Sequence, residues 1–96
     1  LNTGWYVFGT KSELKGQRIL DGDRVLQGAF NKSYFTKIDI RITKEIKLYS
    51  KSARLLTAHP SSSYSLSADT NGQYVLRITD PQTFWSTSKY LVIQVK

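Results

Sequence analysis

Apolar and polar positions alternate with a period of two along much of this chain, the spacing that buries one face of a β-strand and leaves the other in water. The clearest stretch runs from Phe35 through Ile38, Ile40 and Ile42, with Lys37, Asp39, Arg41 and Thr43 on the opposite face. A turn at Thr43-Lys44-Glu45 would return the chain into Ile46 and Leu48, with Lys47 and Tyr49 facing outward, and close a hairpin. A second hairpin is written more strongly. Tyr64-Ser65-Leu66 and the alternation of Tyr74, Leu76 and Ile78 against Val75, Arg77 and Thr79 flank Asp69-Thr70-Asn71-Gly72, where Asn-Gly supplies positive φ. Ile19-Leu20 and Val25-Leu26 around Asp21-Gly22-Asp23 predict a third.

The remaining pattern adds strands and two short helices. Trp5-Tyr6-Val7-Phe8, closed by Gly9, is an aromatic and β-branched run suited to a pleated surface. Thr10-Lys11-Ser12-Glu13 is a capping box opening a helix over Lys11 to Lys15, stopped by Gly16 and held by packing of Leu14. Arg54 to Thr57 is a short strand candidate, ended by the loop His59-Pro60-Ser61-Ser62-Ser63. Asp80-Pro81 starts a second helix, the aspartate capping and the proline at the first position, with Phe84 and Trp85 on that turn. The chain ends in Lys89 to Val95, apolar on both faces and therefore predicted to be central. About seven short strands with one or two single-turn helices predict one all-β domain over residues 1–96, a small antiparallel barrel or sandwich.

Composition narrows the chemistry. The chain has 96 residues, 40% of them hydrophobic, with no cysteine, so disulfide scaffolds, cysteine metal sites and thiol catalysis are excluded. It lacks methionine and opens on Leu1-Asn2-Thr3, which reads as a piece of a longer polypeptide. His59 is the single histidine, with no carboxylate near it in sequence, so no metal site is expected. Ser61, Ser62 and Ser63 follow it, but no Gly-x-Ser-x-Gly elbow exists and a turn-forming run explains them. The seven carboxylates have structural readings: Glu13 and Asp80 as caps, Asp21, Asp23 and Asp69 in turns, Asp39 and Glu45 among lysines. Phosphate-binding glycine loops are absent. The expectation is a non-catalytic protein without cofactor.

Charge has a location. Fourteen Lys and Arg against seven Asp and Glu give +7, and residues 32–54 alone carry Lys32, Lys37, Arg41, Lys44, Lys47, Lys51 and Arg54 against Asp39 and Glu45. On the hairpin reading, Lys37, Arg41, Lys47 and Tyr49 share one outer face, a patch fit to bind an anionic polymer or a protein partner. The alternative is an OB-like nucleic-acid module in which Tyr49 or Tyr34 stacks on bases. The plainer reading is a solvated lysine face that resists edge pairing. Twelve aromatic residues also leave room for some of Trp5, Tyr6, Tyr64, Trp85 and Tyr90 to stack on sugars or line a peptide groove.

Four separated segments carry a resemblance: Trp5 to Leu14, Phe30 to Asp39, Leu56 to Tyr64, and Ile78 through Phe84-Trp85-Ser86 to Val92. Together they resemble the C-terminal domain, of unknown function, of uncharacterised coiled-coil cell-envelope lipoproteins of anaerobic gut bacteria. Gln17 to Gln27 departs from that pattern and inherits nothing from it. The resemblance implies a globular head held off a membrane by a coiled-coil rod, lipid-anchored through an N-terminal region and located in the periplasm or at the surface. It implies binding or spacing rather than turnover. It brings no activity with it.

Overall fold

The computed structural model describes residues 1–28 and 30–96. In chain order the elements are β1 (Thr3–Thr10), α1 (Lys11–Gly16), β2 (Leu20–Asp21), β3 (Arg24–Val25), β4 (Thr36–Asp39), β5 (Glu45–Lys47), β6 (Ala53–Leu55), β7 (Tyr64–Ala68), β8 (Tyr74–Ile78), α2 (Pro81–Phe84) and β9 (Tyr90–Val95). Single 3-10 turns precede β4 and β7. The strands form a four-stranded sheet β4-β1-β9-β6, a three-stranded sheet β5-β8-β7, and the small β2–β3 hairpin. The domain is therefore all-β, and of the two predicted architectures it takes the sandwich: the two larger sheets do not join around into a closed barrel.

The predicted antiparallel order also needs one correction. β1 and β9, from opposite ends of the chain, pair in parallel, from Trp5 opposite Tyr90 to Thr10 opposite Val95. Parallel neighbours are typically covered on both faces and read as near-continuous apolar runs. Trp5-Tyr6-Val7-Phe8 and Tyr90-Leu91-Val92-Ile93 are such runs, and β9 is indeed central, between β1 and β6.

Each face of this sheet has its own core. Tyr6, Phe8, Ile38, Leu91, Ile93 and Val95 face the three-stranded sheet, meeting Ile46, Leu48, Leu76 and Ile78 together with Phe84 and Trp85. Asp80 caps α2 by accepting from the Thr83 amide, and Pro81 sits where its missing N–H costs nothing; the short turn thereby delivers Phe84 and Trp85 to full burial. Gly4 makes room for the indole: a Cβ there would lie 3.0 Å from Ile40 and 3.1 Å from Trp85. On the other face Trp5, Val7, Phe35, Tyr90 and Val92 lie beneath Leu14, Ile19, Leu20, Val25, Leu26 and Phe30, a lid made of α1 and the β2–β3 hairpin. The capping box that builds α1 is complete, with the Glu13 amide donating to Thr10 Oγ1 and the Thr10 amide to Glu13 Oε1.

The hairpin predicted across residues 35–49 does not form. β4 pairs with β1 and β5 with β8, so its two arms lie in different sheets. Asp39 is the reason. Its carboxylate accepts from the Arg41 amide and its carbonyl from Ile42 and Thr43, a turn that ends β4 and sends the chain from one sheet to the other. Ile40 drops into the core, whereas Ile42, predicted to face inward, is 76% exposed. The β7–β8 and β2–β3 hairpins do form, with Gly72 and Gly22 at positive φ in their turns. The strand read at Arg54 to Thr57 lies slightly earlier, at Ala53–Leu55.

Candidate binding surface

The loss of the 35–49 hairpin redistributes the candidate residues. Lys37 stands on the lid-side face of the four-stranded sheet, opposite Trp5 in register, with its Nζ 5.7 Å from the indole centroid. Lys47 is exposed on β5, between buried Ile46 and Leu48, so it faces away from the shared core, on the outer side of the other sheet. The four residues therefore share no single face. The link between β4 and β5 is short, bounded by the hydrogen bonds Ile40 N–H to Asn2 and Ile78 N–H to Lys44, so the end of β4 and the start of β5 lie together on one side of the sandwich. Around that side the cations form a band.

The band begins at Lys32, in the 3-10 turn Lys32–Tyr34 that Asn31 caps. Lys32 Nζ lies 5.8 Å from the Trp5 ring and 5.6 Å from the Tyr90 ring, and those two rings stack at 6.3 Å. Phe30 and Phe35 both meet Tyr90 edge-on at 5.6 Å. The Lys32 and Lys37 ammonium groups thus sit over half-buried aromatic rings, each such contact contributing about 0.5–1 kcal/mol. Lys37 and Arg41 then line one surface hollow with Asn2 and Thr3, and Arg41 and Lys44 line the next with Asp80 and Gln82.

Arg41 is held in place. Its Nε donates to Asp39 Oδ1 at 3.0 Å and its Nη2 to Oδ2 at 2.7 Å, a fork that fixes the guanidinium beside Lys37. These side-chain bonds, joined by the Arg41 amide, push the Asp39 carboxyl down to about 2 and raise Arg41. Among the described residues the other ion pair is Arg77 with Glu45, so Lys32, Lys37, Lys44 and Lys47 have no carboxylate partner.

Tyr49 lies beyond the far end of the band. Tyr74 bonds Leu48 through its carbonyl and Ser50 through its amide, which squeezes Tyr49 out of the ladder at φ 53°, with 69% of its surface exposed. A tyrosine in the left-handed region costs about 1–2 kcal/mol. Tyr34 is the other exposed tyrosine; Trp85, read as a possible stacking residue, is wholly buried.

His59 occupies a structural position. Its Nδ1 is 2.8 Å from the Phe84 carbonyl, which can only accept, so the ring proton sits there; Nε2 accepts from the Thr57 hydroxyl at 2.8 Å. Thr57 Oγ1 in turn accepts from the Val92 amide. The ring stacks on Phe84 at 4.1 Å, and burial pushes its pKa below the ordinary value. The Ser63 hydroxyl donates to the Pro60 carbonyl rather than to the imidazole. His59 thus ties the loop before β7 to α2.

Lys32 and Lys44 are the band residues that sequence reasoning did not assign to a site. Both lie in or beside turns, outside the alternation used to choose candidates, and only the pairing of β4 with β1 brings Lys32, Lys37, Trp5 and Tyr90 together. Comparison with protein-family models, curated proteins and solved structures found no match.

Proposed function

We propose that this domain is a non-catalytic binding head of an envelope-anchored protein, and that its basic side holds an anionic envelope polymer. One observation carries the reading: Lys32, Lys37, Arg41 and Lys44 follow one another along the β4 side, and of these only Arg41 has a carboxylate partner among the described residues. A row of four cations along an edge, three of them without a carboxylate partner among the described residues, matches the repeating charge of a linear polyanion and raises its local concentration. Trp5 and Tyr90, under the two lysines, give the row a rigid base. Lys47, on the outer side of the other sheet, and the exposed Tyr49 beyond it would add contacts only to a polymer that wraps past the band. The envelope location rests on the family resemblance. The OB-like alternative loses the barrel on which it depended; the basic band remains open to single-stranded nucleic acid, which becomes an arm of the test.

The test is binding of a labelled polyuronate and a labelled single strand of matched charge, at low and high salt. The expected result is micromolar polyuronate binding that weakens steeply with salt, falls at least about tenfold in a K32Q/K37Q/K44Q variant and survives in K11Q/K15Q. No binding at low salt, or equal loss in both variants, removes the proposal. A clear preference for the single strand replaces it with the nucleic-acid reading.

A further inference from the structure

The four edges of the two packed sheets are unequally protected. β4 presents Lys37 at its edge, β5 presents Glu45 and Lys47, and β6 is three residues long with Arg54 at its centre. β7 is five residues of Tyr-Ser-Leu-Ser-Ala, without charge, proline or bulge, at the edge of the three-stranded sheet. The bonds Thr79 N–H to Ser63 and Asp69 N–H to Gln73 fix the ladder phase: Ser65 and Ser67 bond β8, so Tyr64, Leu66 and Ala68 direct their N–H and C=O groups outward. An open, uncharged edge of this kind is a template for another strand.

Charge selects the strand. Every copy carries +7, yet residues 55–76 contain no lysine or arginine. Two copies that approach through β4 or β6 bring cations against cations, and β5 offers outward backbone groups only at Glu45 and Lys47 before Tyr49 breaks the strand; β7 offers three such residues and no cation. We infer that β7 is a self-association edge, on which a second copy of this chain pairs antiparallel about a two-fold axis at Leu66. Leu66 then faces its own counterpart, Tyr64 faces the partner's Ala68, and Ser65 faces the partner's Ser67 on the solvent side. The outward amides and carbonyls of Tyr64, Leu66 and Ala68 all gain partners, and the two three-stranded sheets become one continuous sheet. None of the band residues Lys32, Lys37, Arg41 and Lys44 lies on β7, so each copy keeps its own basic band on pairing. On the reading proposed above, that makes a bivalent binder, whose two bands acquire the effective concentration that linkage gives.

Sedimentation of the domain across the micromolar range, with no polymer present, tests this pairing separately from the basic side. A concentration-dependent dimer is expected. S65K/S67K sets lysine against lysine twice and weakens dimerisation at least about tenfold; S65K/S67E sets lysine against glutamate twice in the same register and tightens it several-fold. Both substitutions are at exposed positions, and melting curves check that each variant is folded. A wild type monomeric at the highest concentration, or two variants that dimerise alike, overturns the inference.

Discussion

The two faces of the four-stranded sheet are finished differently, and the contrast explains where the proposed binding surface lies. The face toward β5-β8-β7 is closed by strands and by two aromatic side chains, Phe84 and Trp85, both without exposed surface. The opposite face is closed by a six-residue helix and a hairpin of two-residue strands, which cover Val7 and Val92 fully but leave Trp5 and Tyr90 half-covered. Lysine ammonium groups stand over what the lid leaves open. A complete core leaves nothing for solvent to meet; a core finished by lysines presents fixed cations over an aromatic base. Cation–aromatic geometry appears at the boundary of the lid for that reason.

The largest effect that separates the faces is expected from Phe84→Ala. The ring is wholly buried and touches Tyr64, Trp85 and the His59 ring, so truncation should cost about 3–5 kcal/mol. Chemical denaturation should show a single cooperative loss, with amide exchange accelerated in β1, β8 and β9 together. Acceleration confined to α2 would show that the sandwich core does not depend on this turn.

Leu14→Ala is next, at about 2–4 kcal/mol, because Leu14 is the one buried side chain of α1 and has no exposed surface. Its effect should be local. Exchange should rise in α1 and the β2–β3 hairpin while β8 stays protected, since among the described residues the apolar cluster under the lid includes side chains of the four-stranded sheet and none of β5, β7 or β8. A uniform rise in exchange would merge the two faces into one cooperative unit and remove the distinction drawn here.

Sequence reached the local parts of this picture. The capping box at Thr10, the Asp80-Pro81 start and the Asn71-Gly72 turn each carry their signal within four residues, and each is present. The two-sided apolar run at Tyr90–Val95 correctly marked a central strand. The site was less legible, because it depends on pairing. The alternation through Phe35–Ile42 suits a continuing strand as well as a strand that stops at Asp39, and only the Asp39 turn decides between them. With that stop, Lys37 and Lys47 part to opposite outer faces, and Lys32 joins Lys37 over Trp5 through a register that links both ends of the chain.

The smallest effect concerns the seam between the sandwich core and the loop before β7, where His59 is fixed. Burial lowers its pKa in the folded state, against an ordinary value of 6.5, with the bond to the Phe84 carbonyl opposing part of the shift. Between the folded and unfolded values the unfolded chain binds more protons, so stability rises with pH there. The neutral ring's contribution is therefore complete above pH 6.5 and declines as pH falls below it, since protonation also turns Nε2 from an acceptor of the Thr57 hydroxyl into a donor. Asp39 and Asp80, whose carboxyls are lowered from 3.8 by bonds from Arg41 and Thr83, lose their contributions only in more acidic solution, which leaves the window just below pH 6.5 to the imidazole. Melting temperatures of the wild type should fall across that window, while those of His59→Gln, lower at pH 7.5, should stay nearly flat. Parallel slopes would show that the ring is equally free to take a proton in both states. In that case it would not lock the loop to the sandwich face, and the firmer closure claimed for that face would rest on Phe84 and Trp85 alone.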